Sequence, residues 1–168
     1  MIHDDIGAFF QTVKHLKALI GLDLGSKTIG VAVSDQLKSV ATPLETINRT
    51  KFTEDAERLI DIFSRRDIGG LVLGLPRNMD GSEGPRSQST RAFALNLSTK
   101  ISLPITFWDE RLSTVAAKKT LLEADMTRKR RAEVIDHVAA AYILQGALDR
   151  LRYFKKDEFT KDKRYLET

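Results

Sequence analysis

Ala18-Leu-Ile-Gly-Leu-Asp-Leu24, closed by Gly25 and followed by Thr28-Ile-Gly-Val-Ala-Val-Ser34, decides the fold. The first stretch is a nearly unbroken apolar run of strand length, the pattern of a strand covered on both faces. A short polar turn returns the chain into the second stretch, whose β-branched residues suit a hairpin partner. Val40 to Ile47 predicts a third strand. Pro43 within it has no N–H to give a ladder, so this strand lies at an edge or contains a break.

Outward from this hairpin the chain alternates. Asp5 to His15 predicts a short amphipathic helix with Ile6, Phe9, Phe10 and Val13 on one side. Thr53 is the expected N-cap of a helix with acids in its first turn and an apolar face of Leu59, Ile60 and Phe63. Ile68 to Gly74 predicts a buried strand, Leu75 to Arg86 a loop, Ser87 to Lys100 a helix and Ile105 to Trp108 a strand. Helices follow at Ser113 to Ala124 and Ala132 to Leu151. Three strands, then helices alternating with strands, argue an α/β fold with a mixed sheet flanked by helices. The expected division is a helical extension at residues 1–17, a domain at 18–152, and a charged, disordered tail at 153–168.

At 168 residues the chain is long enough for one domain with a sizeable core. Its 42% hydrophobic and 30% charged content is that of a soluble globular protein. No apolar stretch approaches the ~20 residues that span a bilayer. Asp4 and Asp5 occupy the place of a signal peptide's basic region, so a cytoplasmic protein is expected. Cysteine is absent, so a metal site must use oxygen or imidazole ligands. The net charge of +4 suits an anionic partner such as nucleic acid.

Three acidic positions interrupt apolar elements. Asp23 lies at the end of the first core strand, where an unpaired buried carboxylate is costly. Either a cation neutralises it or it caps the turn at Gly25. Asp109 and Glu110 follow the strand Ile105-Thr-Phe-Trp108, and alternation sends them to opposite sides. One of them can then enter a shared site, or they serve to cap the next helix and to pair with Arg111. In the last helix the stripe 136, 139, 140, 143, 144, 147, 148, 151 reads Asp, Ala, Ala, Ile, Leu, Ala, Leu, Leu. Asp136 thus opens a core-facing stripe, either as a ligand or as an acid stabilised by the helix dipole. Oxygen-only ligands from three distant segments favour Mg²⁺ or Mn²⁺. Such ions activate water and stabilise both oxygens of a phosphodiester displacement.

The ordered set Asp23-Leu-Gly-Ser-Lys-Thr-Ile-Gly30, Gly74-Leu-Pro76 with Asn78-Met-Asp-Gly81, Asp109-Glu-Arg-Leu-Ser113, and Asp136 before Ala139-Ala-Ala-Tyr-Ile-Leu144 resembles the YqgF/RuvX family from about Leu19 to Leu151. The resemblance implies a ribonuclease H-like fold, here with a five-stranded mixed sheet, related to Holliday junction resolvases. It implies a metal-binding catalytic triad of Asp23, Glu110 and Asp136, with Asp109 as a neighbour. It also implies a role in maturing the 5′ end of pre-16S ribosomal RNA.

Around these acids, Lys27, Arg77, Arg86 and Arg111 are candidate phosphate contacts, as is the basic run Arg128-Lys-Arg-Arg131. The leading expectation is a Mg²⁺- or Mn²⁺-dependent endonuclease acting on structured RNA as a monomer or weak homodimer. Cleavage of branched DNA is the alternative, and a symmetric resolvase would need paired sites. A non-catalytic nucleic-acid-binding factor is the alternative of another class.

Overall fold

The computed structural model describes residues 1–112 and 128–166, with side-chain surroundings for 1–112 and 137–156. The described elements are β1 (Ile2–His3), α1 (Ile6–Thr12), β2 (Ala18–Leu24), β3 (Thr28–Ser34), β4 (Ala41–Asn48), α2 (Phe52–Ser64), β5 (Ile68–Leu75), α3 (Pro85–Ser98), β6 (Ile105–Asp109), a 3₁₀ turn (Glu110–Leu112) and α4 (Arg128–Leu166). The helix expected at Ser113 to Ala124 lies outside the described residues.

The described strands form one sheet in the order β1-β6-β5-β2-β3-β4. Its left half is parallel and its β2–β3–β4 half is antiparallel. The quoted hairpin is therefore the seam between the halves. Its turn closes where the Gly25 amide donates to the Thr28 carbonyl at 2.8 Å. β4 is the edge that Pro43 foretold. Its register against β3 jumps from Glu45 to Pro43, leaving Leu44 as a bulge.

The sheet has six strands, where the sequence led to five. The sixth, β1, runs parallel to β6, with Ile2 opposite Ile105 and His3 opposite Thr106. The Ile105 amide donates to the Met1 carbonyl at 2.9 Å, and Thr106 Oγ1 donates to the His3 carbonyl at 2.8 Å. Two residues are too few to show a period, and only the open edge of β6 makes them a strand.

Alternation along the strands builds a core on each face. Ile20, Leu22, Leu71, Leu73 and Phe107 point towards α2 and α3. Leu19, Ala32, Val72 and Trp108 point towards α1 and α4. Phe9 of α1 is 0% exposed. The N-terminal segment is thus built into the sheet and its core, and is more than an appended helix.

The helix ends refine the sequence reading. The N-cap of α2 is Lys51, which makes no side-chain cap bond, and Thr53 lies inside the first turn. Buried Asp55 reaches back instead and accepts from the Thr50 amide at 3.0 Å and from Thr50 Oγ1 at 3.1 Å. α3 starts two residues before the expected Ser87, because Pro85 sits in the first turn, where its missing N–H costs nothing. α4 takes in Arg128 to Arg131 and continues past Leu151 into the segment expected to be disordered. Phe154 holds that continuation against α1, its ring 6.4 Å from Phe10, with the Arg150 guanidinium 5.1 Å from the Phe154 centroid.

The last helix lies close on the sheet because small residues face each other. A Cβ on Gly21 would come within 2.7 Å of Leu144 Cβ and 2.8 Å of the Ala140 carbonyl oxygen. Ala139, Ala140, Ala147 and Leu148 are buried along the same stripe.

Candidate active site

Asp23 shares a face of β2 with Leu19 and Gly21, the face towards α4. It is 4% exposed, at the carboxyl end of the strand. Ligands gather at such strand ends in open sheets with parallel strands. In the pairing of β2 with β5, Leu22 stands opposite Leu73, so Asp23 comes next to Gly74. A Cβ on Gly74 would lie 2.8 Å from Glu110 Oε1 and 2.5 Å from Ile143 Cδ1. The Glu110 carboxylate therefore lies against Gly74 on the α4 side, one strand from Asp23. Strands are ~4.8 Å apart. The glycine leaves the space that the carboxylate occupies.

Asp109, the last residue of β6, is engaged elsewhere. Its carboxylate accepts from Arg111 Nη2 at 2.6 Å and from Arg111 Nε at 3.1 Å. These bonds hold its pKa below the usual carboxylate value. The opposite-sides expectation thus distinguishes the two neighbours, with Glu110 turned to the α4 face and Asp109 to its arginine.

The α4 turn that carries Asp136 passes over this same cross-strand row. Asp23 pairs with Gly30 and Gly30 with Thr46. His137, next to Asp136, shares a 2.9 Å hydrogen bond with Thr46 through Nδ1. One helical turn further on, Ala140 lies over Gly21. The backbone of Asp136 is fixed by these contacts, while its side chain lies outside those described, as do those of Arg128 and Arg131. Among the described residues no three acidic or imidazole side chains form a metal cluster.

The other candidates divide by their partners. Arg111 also donates to the Met79 carbonyl at 3.4 Å, and its guanidinium stands 3.4 Å from where a Gly81 Cβ would be. Gly81 has φ of +88°, a conformation that favours glycine. Arg111 thus ties the loop between β5 and α3 to the end of β6. Arg77 lies 3.9 Å from Glu83, and its buried Nε has no described hydrogen-bond partner. Lys27 is exposed in the β2–β3 turn, and Arg86 is exposed in the first turn of α3. The sequence reading missed Arg49, which follows β4 and donates through Nη1 to the Gly25 carbonyl at 2.6 Å. Its only sequence signal was its place in the polar segment Asn48-Arg49-Thr50-Lys51.

A mixed sheet covered on both faces, with carboxylates at the ends of β2 and β6 on either side of β5 and a helix packed across that face, is the arrangement of a ribonuclease H-like fold. The family described as "RuvX: Holliday junction resolvase" matches residues 17–150. Proteins named "Putative pre-16S rRNA nuclease" are close in sequence. That of Ruegeria sp. (strain TM1040) is 68% identical over 155 residues, covering 92% of this chain and 99% of the relative. That of Ruegeria pomeroyi is 70% identical over 152 residues, covering 90% of this chain and 99% of the relative. Thermus thermophilus RuvC, solved in complex with a Holliday junction substrate, shares the fold with a TM-score of 0.52 at 12% identity. That likeness covers 80% of this chain and 96% of RuvC. The chain belongs to the RuvX family. No described helix is long and apolar enough to cross a membrane.

Proposed function

We propose that this nuclease is a divalent-metal-dependent endonuclease of the cytoplasm that processes the 5′ end of pre-16S ribosomal RNA, with Asp23, Glu110 and Asp136 as its acidic centre. The observation that carries this reading is that Asp23, at the end of β2, and Glu110, just past β6, flank the end of β5 on the α4 face, with Gly74 leaving space between them. The names of the sequence relatives support the RNA substrate.

The donor set fits a hard cation. Asp23 and Glu110 supply carboxylate oxygens, Asp136 would complete the set, and no thiol competes. Asp23 is 4% exposed, and a cation beside it would stabilise its charged form. When bound, Mg²⁺ or Mn²⁺ supplies Lewis-acid activation of water and offsets charge developing on the phosphate. The chain's own residues do the rest. The β2 end fixes Asp23, the bare Gly74 admits Glu110, and the Thr46–His137 bond anchors the helical turn next to Asp136 against β4. Lys27, at the tip of the adjacent turn, would meet the substrate's phosphates.

The family description favours a second substrate, a four-way DNA junction. Cleaving RNA needs one centre, so a monomer suffices, whereas symmetric resolution needs two. Cleavage of a pre-16S 5′ fragment and of a DNA junction, each with Mg²⁺ and with Mn²⁺, compares the two readings. Asp23→Asn, Glu110→Gln and Asp136→Asn should each lose at least about 100-fold in rate, as for groups acting at the reacting atoms. Equal cleavage by wild type and all three variants would refute the acidic centre. Cleavage of the junction alone would refute the RNA substrate.

A further inference from the structure

An open cavity of about 380 Å³ lies beside the acidic centre, bounded by Leu24, Gly25, Arg49, Arg86, Ser89 and Thr90. It begins one residue beyond Asp23 but on the other side of the sheet. Leu24 packs with the α2 and α3 core, whereas Asp23 faces α4. The cavity and the acids therefore flank the same end of β2.

The arginines towards this end of the molecule are unevenly matched. Arg91 is paired with Glu83 and Asp4, Arg77 lies near Glu83, and Arg111 is paired with Asp109. Arg49 and Arg86 have no carboxylate partner among the described residues. Arg49 instead donates to a neutral acceptor, the Gly25 carbonyl, and its guanidinium stands 5.7 Å from the Phe93 ring centroid. Those contacts hold it at the cavity wall, and among the described residues they occupy one of its five donors. Arg86 is held through its backbone, its carbonyl accepting from Thr90 Oγ1 at 3.1 Å, while its side chain is free of described partners. The Ser89 hydroxyl is exposed at the same opening. Two arginines and the Ser89 hydroxyl lining one open cavity offer planar guanidinium donors suited to a tetrahedral oxyanion that accepts paired hydrogen bonds.

We propose that the Arg49–Arg86 cavity holds an internal backbone phosphate of the bound nucleic acid, flanking the phosphate that is cleaved. The strand would cross the end of β2, with the scissile phosphate on the Asp23 side and the flanking phosphate on the α3 side. This grip gives register without reading sequence. The inference rests on the nuclease reading above and adds a phosphate subsite to it.

The test is binding of the full chain to a labelled pre-16S 5′ fragment and to a four-way DNA junction, without divalent metal, over a range of salt. Arg49→Gln and Arg86→Gln should each weaken binding about 5- to 10-fold and reduce the salt slope by about 1. Arg65→Gln, on the far end of α2 and paired with Asp61, should change neither. Arg49→Gln also loses its bond to Gly25, so Arg86→Gln is the deciding variant. Wild-type affinity and salt slope in Arg86→Gln overturn the subsite. So does an effect confined to RNA bearing a 5′-phosphate, which would make the ligand a chain end. Asp23→Asn separates the two readings. Lost cleavage there with an unaffected Arg86→Gln removes the subsite alone. Retained cleavage there with a weakened Arg86→Gln removes the acidic centre alone.

Discussion

Replacing Gly21 by alanine tests whether the helix carrying Asp136 is seated on the strand carrying Asp23. The added methyl would stand 2.7 Å from Leu144 Cβ and 2.8 Å from the Ala140 carbonyl oxygen. Neither atom is the end of a flexible side chain. To restore a contact of about 3.5 Å, helix and strand must separate by about 0.8 Å. Overpacking of this kind costs about 1–3 kcal/mol. In a chain of this length that lowers Tm by about 3–10 °C. The same separation lifts the Asp136 turn away from Asp23, and a displacement near 1 Å can cost about 100-fold in rate. Thermal unfolding by circular dichroism and single-turnover cleavage of the pre-16S fragment read the two effects. Gly74→Ala is the informative comparison, because there the methyl meets side-chain ends, Ile143 Cδ1 at 2.5 Å and Glu110 Oε1 at 2.8 Å. It should lose activity with a smaller loss of stability. If Gly21→Ala melts and cleaves as wild type does, the close seating of α4 on β2 is wrong, and with it the route that brings Asp136 to the centre.

Phe9→Ala should destabilise by about 3–5 kcal/mol, because the ring is fully buried over Gly70, and a drop in Tm well below 5 °C would show that α1 is peripheral. Arg111→Gln should expose the loop around Met79 to limited proteolysis while changing stability little, since the pair it breaks is partly solvated; an unchanged digestion rate would show that the loop is held by other contacts. The Asp35 carboxylate accepts from Ser39 Oγ at 2.7 Å and the Val40 amide at 2.9 Å, and the Ser39 hydroxyl bond is the largest cause of its pKa falling to about 2. Because the folded pKa lies below the ordinary 3.8, the stability it gives is present above that pH and is lost as pH falls towards about 2. The difference in urea midpoint between wild type and Asp35→Asn should therefore shrink below about pH 4, and a difference independent of pH would assign the effect to something other than the charge.

Local chemistry made much of the fold legible. The Ala18–Leu24 run, its hairpin partner and Pro43 specified the seam and edge of the sheet, because burial on two faces and a missing N–H each leave a mark on the residues themselves. The α4 stripe was equally readable, since a 3.6-residue period survives without knowledge of its partner. β1 was not readable, because a two-residue strand exists only through the edge it pairs with. The α2 cap was misplaced for a related reason. Thr53 has the right side chain for a cap, but the back-bond from buried Asp55 to Thr50 sets where the helix begins.

The sequence by itself marked Asp23, the neighbours Asp109 and Glu110, and Asp136 as acids that break apolar elements. Its lack of cysteine also excluded thiolate ligands. Tertiary structure decided which of two adjacent acids turns to the shared face. Glu110 fits against Gly74, while Asp109 is held by Arg111, a choice that depends on strand register and not on residue type. It likewise decided which arginines are paired with carboxylates and which, Arg49 and Arg86, have no carboxylate partner among the described residues. Sequence fixes the number of charges, but only the fold sets the distances between them, and Coulombic pairing depends on distance.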